Sequence, residues 1–383
     1  FYCQKKIGDV IIMDFIPVNT PLLDGNEKKY LSECIDTGWI SSEGSFVKRF
    51  EEGIAAYVGR KYGIAVCNGS VALDLAVEVL ELQKGDEVIM PAFTIISCAA
   101  ALVRKGVKPV LVDADPATWN MDVTQIEEKI TSNTKAIMVV HLYGLPVDMD
   151  VVIDIAKRHH LVIIEDGAEA HGLEYKGKKC GDFGTISTLS FYPNKHITTG
   201  EGGMVLTDDE CLKERCESFR NLCHSRERRF YHEELGYNFR MSNIQAAIGV
   251  AQLERIEEHL GRKRALGQAY QEQLRGVQGI QLPVPETGYA KNLYWVFGIV
   301  LDQEVSFDAI GAMKKLADRG VGCRPFFYPM HLQPVFRKIG LFVGEKYPVS
   351  EKLGERGFYV PSGLTVTEEQ ARYVSEQVKD ILR

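Results

Sequence analysis

Residues 161–172 read LVIIEDGAEAHG, an apolar run that passes directly into two acids, a glycine and, further on, a histidine. A short, continuous apolar run of this kind is typical of a strand that is buried on both faces of a parallel sheet. Glu165 and Asp166 then lie at the carboxyl end of the strand, which is where ligands bind in open α/β sheets. Because a buried carboxylate needs a partner, this stretch predicts either a functional site or a structural cap after the strand.

Apolar runs that alternate with helical stretches extend this pattern along the chain. The other predicted strands are residues 64–66, 87–90, 109–112, 136–141, 186–191 and 204–207. The predicted helices between them are residues 70–82, 97–105, 123–130 and 150–159. Strands separated by helices predict an α/β fold with a mostly parallel seven-stranded sheet sandwiched by helices.

A long helical stretch, residues 243–275, leads into a second unit. Its apolar residues recur at helical spacing and its charges lie elsewhere. The second unit has a predicted strand, helix, strand and final helix at residues 294–301, 307–319, 321–325 and 368–382. We therefore predict a large domain over residues 16–260 and a smaller C-terminal α+β domain over residues 261–383.

The first residues, FYCQKKIGDVIIM, combine two lysines with an apolar stretch that is too short for the core of a signal peptide. Met13 would make a sensible natural start. Residues 1–15 are therefore predicted to be a disordered or extraneous leader.

The composition is ordinary for a globular protein, with 383 residues, 45% hydrophobic, 25% charged and a net charge of -7. A mildly acidic chain is a poor binder of nucleic acid, and no apolar run approaches the ~18 residues of a membrane span. The nine cysteines are scattered and never spaced as Cys-x-x-Cys, which argues against a disulfide framework and a structural zinc site. Most of them are predicted to be buried small hydrophobic residues of a cytoplasmic protein.

Residues 66–73, VCNGSVAL, predict a strand end, a glycine turn and a helix that starts at Ser70. A helix N-terminus offers free backbone N–H groups and a positive dipole to a phosphate. Gly69 would let the phosphate approach the backbone closely, and Ser70 could add a hydroxyl. The same residues also fit an ordinary N-cap, because serine is favoured at helix starts.

Residues 190–203, SFYPNKHITTGEGG, place Lys195 between an apolar strand and a turn rich in threonine and glycine. A lysine is ordinarily a solvated surface group. A desolvated lysine near other cations, however, has a lowered pKa and can attack a carbonyl to form a Schiff base. Ser190, five residues upstream, could reach the same phosphate as Ser70.

The acids and the histidine of the LVIIEDGAEAHG stretch admit two chemistries. Asp166 could pair with a protonated ring nitrogen and keep it protonated. Alternatively, Glu165, Asp166 and His171 could bind a divalent metal ion, although the sequence offers only Asp113 and Asp115 as further ligands.

A basic run precedes the stretch GYNFRMSNIQ at residues 236–245 and comprises Arg226, Arg228 and Arg229, with Arg220 near it. Such a run would suit the diphosphate of a nucleotide. It would equally well form a solvated face of the protein.

Taken together and in this order, the motifs resemble those of the DegT/DnrJ/EryC1 family of sugar aminotransferases, which are fold-type-I enzymes dependent on pyridoxal phosphate (PLP). The resemblance covers nearly the whole chain from about Ile16 and includes CNGSVALDLAV, GDEVIMPAFT, EDGAEAHG, SFYPNKHITTGEGG, GYNFRMSNIQAAIG and RPFFYPMH. SFYPNK…TTGEGG and GYNFRMSNIQAAIG are highly specific among these. The resemblance implies the PLP-dependent aminotransferase fold of type I.

The resemblance also implies roles for the residues around the cofactor ring. Lys195 forms the Schiff base with PLP, and Asp166 pairs with the pyridine nitrogen. Glu169, where many relatives have glutamine, lies close to the ring and its 3-hydroxyl. Ile95 stands where many relatives place an aromatic residue that stacks on the ring, so ring contact there is expected to be apolar only.

At the other end of the cofactor, the resemblance assigns the phosphate to Gly69, Ser70 and Ser190 of one subunit. Asn238 reaches the phosphate from the neighbouring subunit, so the working unit is expected to be a homodimer. One branch of the family has histidine at the lysine position and removes a 3-hydroxyl instead of transferring nitrogen. Lys195 argues against that branch, and the retention of Lys195, Asp166 and Ser190 argues against a silent PLP-fold protein used for binding or regulation.

The implied reaction moves the amino group of L-glutamate to the C4 ketone of a nucleotide-linked 4-keto-6-deoxy sugar. The stretches FRNLCHSRERRFYHEELGYNFRMSNIQAAIG and RPFFYPMH favour GDP-4-keto-6-deoxy-mannose, which would give GDP-perosamine, a sugar of O-antigen biosynthesis. The alternative is the same chemistry on a dTDP- or UDP-linked 4-keto or 3-keto sugar. Substrate contacts are predicted for Arg226, Arg229 and His331, although His331 could instead be a loop histidine that caps a turn.

Overall fold

The computed structural model of the chain describes residues 5–7, 10–12, 15–225, 227–228 and 230–383. Near the N-terminus, Lys5–Ile7 (β1) and Val10–Ile12 (β2) pair in antiparallel register. The rest of the predicted leader up to residue 14 lies outside the described residues, and the leader stays a prediction.

The remaining strands are β3 (Tyr62–Val66), β4 (Glu87–Pro91), β5 (Lys108–Val112), β6 (Thr134–Val140), β7 (Val162–Asp166), β8 (Glu174–Tyr175), β9 (Lys178–Lys179), β10 (Ile186–Ser190), β11 (Gly203–Thr207), β12 (Ile280–Gln281), β13 (Phe297–Leu301), β14 (Arg324–Pro325) and β15 (Gly357–Val360).

The helices are α1 (Glu27–Thr37), α2 (Ser45–Val58), α3 (Gly69–Val79), α4 (Ile96–Lys105), α5 (Met149–His159), α6 (Glu210–Arg220), α7 (Asn243–Leu253), α8 (Ile256–Leu274), α9 (Ala309–Ala317), α10 (Pro334–Lys338), α11 (Pro348–Arg356) and α12 (Glu368–Leu382). In the described part of the chain, none of these helices has the length and apolar character that crossing a membrane requires.

A seven-stranded sheet in the order β3-β11-β10-β7-β6-β4-β5 forms the centre of the molecule. β11 is antiparallel to both of its neighbours, and every other pair in the sheet is parallel. All seven strands occur where the sequence predicts them, within about two residues at either end, as is usual for such boundaries. The predicted mostly parallel sheet is confirmed.

Helices pack on both faces of this sheet, because successive side chains of each strand point to opposite sides. In β4, Val88 and Met90 belong to a core cluster that also contains residues of α3 and α4. Ile89, between them, belongs to a second cluster with Val152 and Ile155 of α5. Strands buried on both faces have no polar side, which is why they are continuous apolar runs in the sequence.

Two predicted helices differ from the structure. Residues 123–130 form two short 3-10 turns, Val123–Gln125 and Glu127–Lys129, because the Asp122 carboxylate accepts hydrogen bonds from the N–H and hydroxyl of Thr124 and favours a tight turn.

The predicted long helix over residues 243–275 is two helices, α7 and α8. Arg255, between them, leaves the helical conformation (φ -119°, ψ 15°). Its guanidinium pairs with Asp24 and Glu258, which holds the chain at this corner. α7 starts with a capping box in which Ser242 and Gln245 satisfy each other's backbone N–H groups.

The C-terminal part of the chain forms a four-stranded antiparallel sheet in the order β12-β13-β15-β14. Ile299 of β13 and Phe358 of β15 share a buried cluster with Leu316 of α9 and Val374 of α12. β15 was not predicted from the sequence, and the predicted strand 321–325 is reduced to β14. The predicted domain boundary near residue 260 falls inside α8 and stays a prediction.

Candidate active site

A cavity of ≈ 850 Å³ opens at the carboxyl ends of the parallel strands. This is the position at which ligands bind in open α/β sheets. Side chains from the C-terminal part of the chain, Trp295, Phe327 and Tyr359, line another side of it. The structure brings together in this cavity seven residues that the sequence predicts for one site: Gly69, Ser70, Ile95, Asp166, Glu169, Ser190 and Lys195.

Lys195 lies in the turn after β10 and extends its side chain into the cavity. Its ammonium nitrogen is 3.7 Å from Glu169 Oε1 and 3.9 Å from the centre of the Trp295 ring. The Trp295 indole N–H donates to the carbonyl of Asn194 at 2.7 Å, which fixes the backbone next to the lysine. Burial lowers the pKa of Lys195, while the nearby carboxylates of Glu169 and Asp166 oppose the shift. A lysine in these surroundings loses its proton more readily than a surface lysine does.

Asp166 is the last residue of β7 and is 1% exposed. Its Oδ1 accepts a hydrogen bond from the backbone N–H of Ala168 at 3.0 Å, and its Oδ2 accepts one from the thiol of Cys98 at 3.3 Å. Burial raises the pKa of Asp166. A buried carboxylate of this kind is stabilised by a cationic partner, such as a protonated ring nitrogen.

Glu165, next to Asp166, points to the opposite side of the strand and is held by the protein. It accepts hydrogen bonds from Ser187 Oγ, from His141 Nε2 at 3.0 Å and from the backbone N–H groups of Gly181, Phe183 and Gly184. Burial alone would raise the pKa of Glu165, but the contacts with His141 and the backbone lower it to about 2.

The alternative of a metal site built on Glu165, Asp166 and His171 gains no support from this geometry. Within the described ranges, the group of possible ligands that lie close together is His141, Glu165 and Cys180. His171 instead packs its ring against Phe191 and His196.

Glu169 is 4% exposed and faces Lys195 across the cavity. Its Oε2 accepts the backbone N–H of Tyr143 at 2.9 Å. Burial raises the pKa of Glu169 to about 7, with Lys195 opposing the shift. The carboxyl group therefore changes its charge near neutral pH, directly beside the amine.

Replacing Glu169 by glutamine is expected to move the reactivity of Lys195 to lower pH. The Glu169 carboxylate favours the charged ammonium, so a neutral amide lowers the pKa of Lys195 further and lets it lose its proton at a lower pH. Only the neutral amine attacks a carbonyl. The rate at which the cofactor-free protein incorporates PLP is followed by absorbance as a function of pH. The acid limb of this pH–rate profile should shift to lower pH.

Glu201→Gln is the matched control, because Glu201 is an exposed carboxylate that lines the same cavity. Its acid limb should coincide with that of the unmodified protein. An unmoved limb in Glu169→Gln, or a shift to higher pH, would contradict the proximity of the two charges.

The opposite end of the cavity has the features of a phosphate site. Asn68 caps α3, and its side chain accepts the N–H of Val71 at 3.0 Å. A Cβ on Gly69 would lie 2.8 Å from Ser190 Oγ, so only glycine allows β10 to approach the start of α3 this closely. Ser70 Oγ is 2.8 Å from Ser97 Oγ. Hydroxyls thus surround the first N–H groups of a helix, which have no partner within it.

The remaining predicted residues lie elsewhere. Asn238 is exposed on this chain and is not among the residues that line the cavity. His331 is fully buried, pairs with Glu351 at 2.9 Å and does not line the cavity, so its geometry favours a structural role over a substrate contact. Arg226 and Arg229 lie outside the described residues.

Several lining residues escaped the sequence analysis. Trp295 and Tyr359 come from the C-terminal part, a hundred residues or more from Lys195, and no local pattern connects them with it. Ser97, two residues after Ile95, could have been found from the predicted place of Ile95 beside the ring. Thr188, which is in register with Asp166 on the neighbouring strand, also faces the cavity.

The residues present fit PLP. An amine, a buried carboxylate and a hydroxyl-lined helix start match its aldehyde, ring nitrogen and phosphate. Thr188 Oγ1 and Asn194 Oδ1 are buried and have no hydrogen-bond partner in the described part of the chain. Since unpaired buried polar atoms are costly, they are consistent with a polar ligand in this cavity.

Comparisons with known proteins relate the chain to aminotransferases. The model of the DegT/DnrJ/EryC1/StrS aminotransferase family matches residues 21–379. A protein of Escherichia coli O157:H7 named GDP-perosamine synthase is 42% identical over 96% of this chain and 99% of its own length. A protein of the same name from Caulobacter vibrioides is 43% identical over 92% and 94%.

Among solved structures, S. venezuelae DesV in complex with a ketimine intermediate superposes with a TM-score of 0.85 at 32% identity. The match covers 93% of this chain and 94% of that one. The predicted fold and the PLP dependence are thereby confirmed.

Proposed function

Because the chain belongs to the DegT/DnrJ/EryC1/StrS aminotransferase family, we propose that it transfers the amino group of L-glutamate to the C4 ketone of GDP-4-keto-6-deoxy-mannose. The products are 2-oxoglutarate and GDP-perosamine: the α-amino group of glutamate becomes the C4 amino group of the sugar, and the α-carbon of glutamate becomes a ketone. The observation that carries the proposal is that Lys195, Asp166 and Glu169 line one cavity, with the Lys195 amine beside the Glu169 carboxylate. The GDP-linked sugar is supported by two relatives with the name GDP-perosamine synthase.

Each polar residue of the cavity has a task in this reaction. When bound, PLP supplies an electron sink for the carbon that loses its proton. Lys195 Nζ would hold the cofactor covalently and, once released by the amino donor, would take the α-proton of glutamate and pass it to the cofactor, and in the second half-reaction it would take that proton back and give it to C4 of the sugar. The Asp166 carboxylate keeps the ring nitrogen protonated.

The other residues bind and orient. Gly69, Ser70 and Ser190 would hold the phosphate at the start of α3, and Ile95 would offer the ring an apolar contact. Trp295 limits the positions open to the Lys195 amine and excludes water from one side of it. Two half-reactions at one amine predict ping-pong kinetics.

We further propose that the working unit is a homodimer in which Asn238 completes the partner's phosphate site. Asn238 is exposed in the single chain, and large apolar side chains near it in the sequence, Phe230, Tyr231 and Leu235, are exposed as well. Exposed apolar clusters commonly mark interfaces between proteins. A mass in solution of about twice the 42.9 kDa of one chain is the expected result.

A cytoplasmic location is proposed on the state of the cysteines. The eight that fall within the described residues are all free thiols. Free thiols are usual in reducing compartments.

The proposal is tested by an absorption spectrum followed by substrate comparison. The purified protein with PLP should absorb between 300 and 500 nm, and L-glutamate should shift the band to shorter wavelength. GDP-4-keto-6-deoxy-mannose should then restore the original band faster than dTDP- or UDP-linked 4-keto or 3-keto sugars. A protein that stays colourless with PLP would refute the transaminase, and faster restoration by another nucleotide sugar would refute only the assignment of the substrate.

A further inference from the structure

Cys98 lies in the first turns of α4 and is 0% exposed. Its sulfur is 3.3 Å from Asp166 Oδ2, within the range of an S–H···O hydrogen bond, and 3.8 Å from Thr94 Oγ1. The backbone N–H of Ala168 holds the other oxygen of Asp166 at 3.0 Å. Each carboxylate oxygen of Asp166 therefore has one fixed donor from the protein.

The Cys98 thiol stays protonated in this position. Burial raises its pKa well above the ordinary value, and the Asp166 carboxylate raises it further. A protonated thiol is a donor, although a weaker one than a hydroxyl. It therefore orients the carboxylate while withdrawing little of the negative charge that a cationic partner requires.

A neighbouring residue indicates that this part of the cavity receives a polar ligand. Thr188 is in register with Asp166 on the adjacent strand and is 1% exposed. Its hydroxyl has no hydrogen-bond partner within the described ranges and borders the same cavity. Buried hydroxyl groups are normally hydrogen-bonded. We therefore expect the hydroxyl of Thr188 to find its partner in a polar ligand that binds beside Asp166.

We propose that Cys98 is a positioning residue of the PLP site, whose S–H group holds Asp166 Oδ2 so that the carboxylate faces the ring nitrogen. The proposal rests on the role of Asp166 in the proposed function. Cys98 does not contact the reacting atoms, and its effect passes through Asp166 alone. Its role differs from that of a buried cysteine that only fills space.

The experiment compares Cys98→Ala, Cys98→Ser and Cys98→Val with Cys216→Ala. Cys216 is 0% exposed and belongs to the same hydrophobic cluster as Cys98, so its replacement removes a buried sulfur without touching Asp166. The affinity of each cofactor-free protein for PLP is measured by absorbance. The pH at which the visible band of the bound cofactor changes is measured in the same samples, together with the melting temperature without PLP.

Loss of the donor in Cys98→Ala and Cys98→Val should weaken PLP binding about tenfold, as for a hydrogen bond to a charged group. A less firmly held Asp166 keeps the ring nitrogen protonated less often. The positive ring then no longer opposes protonation of the cofactor–lysine linkage, so the pH midpoint should rise by about half a unit or more. Cys98→Ser should restore both values, and Cys216→Ala should change only the melting temperature.

Unchanged affinity and midpoint in Cys98→Ala and Cys98→Val would overturn the proposal, as would a serine variant as impaired as the alanine variant. If Cys98→Ala does not fold, the comparison of Cys98→Val with Cys98→Ser carries the test. None of these outcomes depends on turnover. If the unmodified protein shows a normal PLP spectrum but the Cys98 variants behave like it, this proposal fails and the proposed function stands. If the unmodified protein shows no PLP spectrum, the proposed function itself fails.

Discussion

Lys195→Ala is expected to abolish turnover while leaving the fold and the binding of PLP and nucleotide sugar in place. The amine is both the nucleophile that binds the cofactor and the group that moves the proton, so kcat should fall by at least about 10⁴-fold. Its contacts with Glu169 and the Trp295 ring are made at the wall of the cavity, and both partners keep another hydrogen bond when the lysine is removed, Trp295 to the Asn194 carbonyl and Glu169 to the Tyr143 N–H. The melting temperature should therefore change little, and the cofactor–sugar adduct should remain bound in the variant.

Lys195→Arg is the matched control for charge. Arginine keeps a cation beside Glu169 and Trp295, but it does not lose its proton in a protein and cannot form the Schiff base. We expect it to be as inactive as the alanine variant. A small amine such as methylamine should restore part of the activity of Lys195→Ala, because the space of the lysine is free, and should not restore that of Lys195→Arg.

Turnover of Lys195→Ala at more than about one hundredth of the normal rate, without added amine, is incompatible with this assignment. A variant that no longer binds PLP at all would separately show that the non-covalent contacts at Asp166 and around Gly69 are weaker than the structure indicates.

The sheet was predictable from the sequence because its strands have no solvent-facing side. Residues 161–164 and 88–91 are apolar throughout, since both faces of these strands are covered by helices. β15 escaped detection for the opposite reason. Gly357–Val360 is only four residues long and follows directly on α11, so its sequence carries no period that would distinguish it from a helix end.

Helix interruptions were less predictable, because they depend on contacts between distant residues. The apolar spacing continues through Arg255, and the break between α7 and α8 involves a pair with Asp24, 231 residues away. The segment 123–130 has the composition of a helix, but the side chain of Asp122 competes for the backbone N–H groups at its start.

The site was predictable where its residues follow strands and unpredictable where they come from elsewhere. Asp166 and Lys195 were found because each lies just after an apolar strand. No local pattern places Trp295 on Lys195, and Cys98 was expected to be one of several buried apolar cysteines. Its contact with Asp166 exists only because α4 packs over the end of β7.

Asp166→Asn should reduce kcat by about 10²- to 10⁴-fold, which corresponds to the roughly 3–5 kcal/mol lost when one partner of a buried ion pair is removed. Asparagine has the size of aspartate but no charge with which to keep a ring nitrogen protonated. The loss should be seen in both half-reactions, because the same nitrogen must be protonated in each. Single-turnover spectra with L-glutamate and with the keto sugar measure the two separately.

Stability should respond to Asp166→Asn and to Glu165→Gln in opposite directions, although the two residues are adjacent. Burial raises the pKa of Asp166 above 3.8, so its charge destabilises the cofactor-free protein as the pH rises through the raised pKa. Asparagine removes that cost, and the cofactor-free variant should be at least as stable as the unmodified protein at pH 8.

Glu165 instead has its pKa lowered from 4.5 to about 2, so its charge contributes stability that is present above about pH 4.5 and lost as the pH falls through about 2. Glu165→Gln should therefore lower the free energy of unfolding at pH 8 by about 3 kcal/mol, the equivalent of that shift. Urea unfolding of the cofactor-free variants at pH 8 measures both changes. If Asp166→Asn proved the less stable variant, Asp166 would be a structural carboxylate like its neighbour, and the cofactor's ring nitrogen would need another partner.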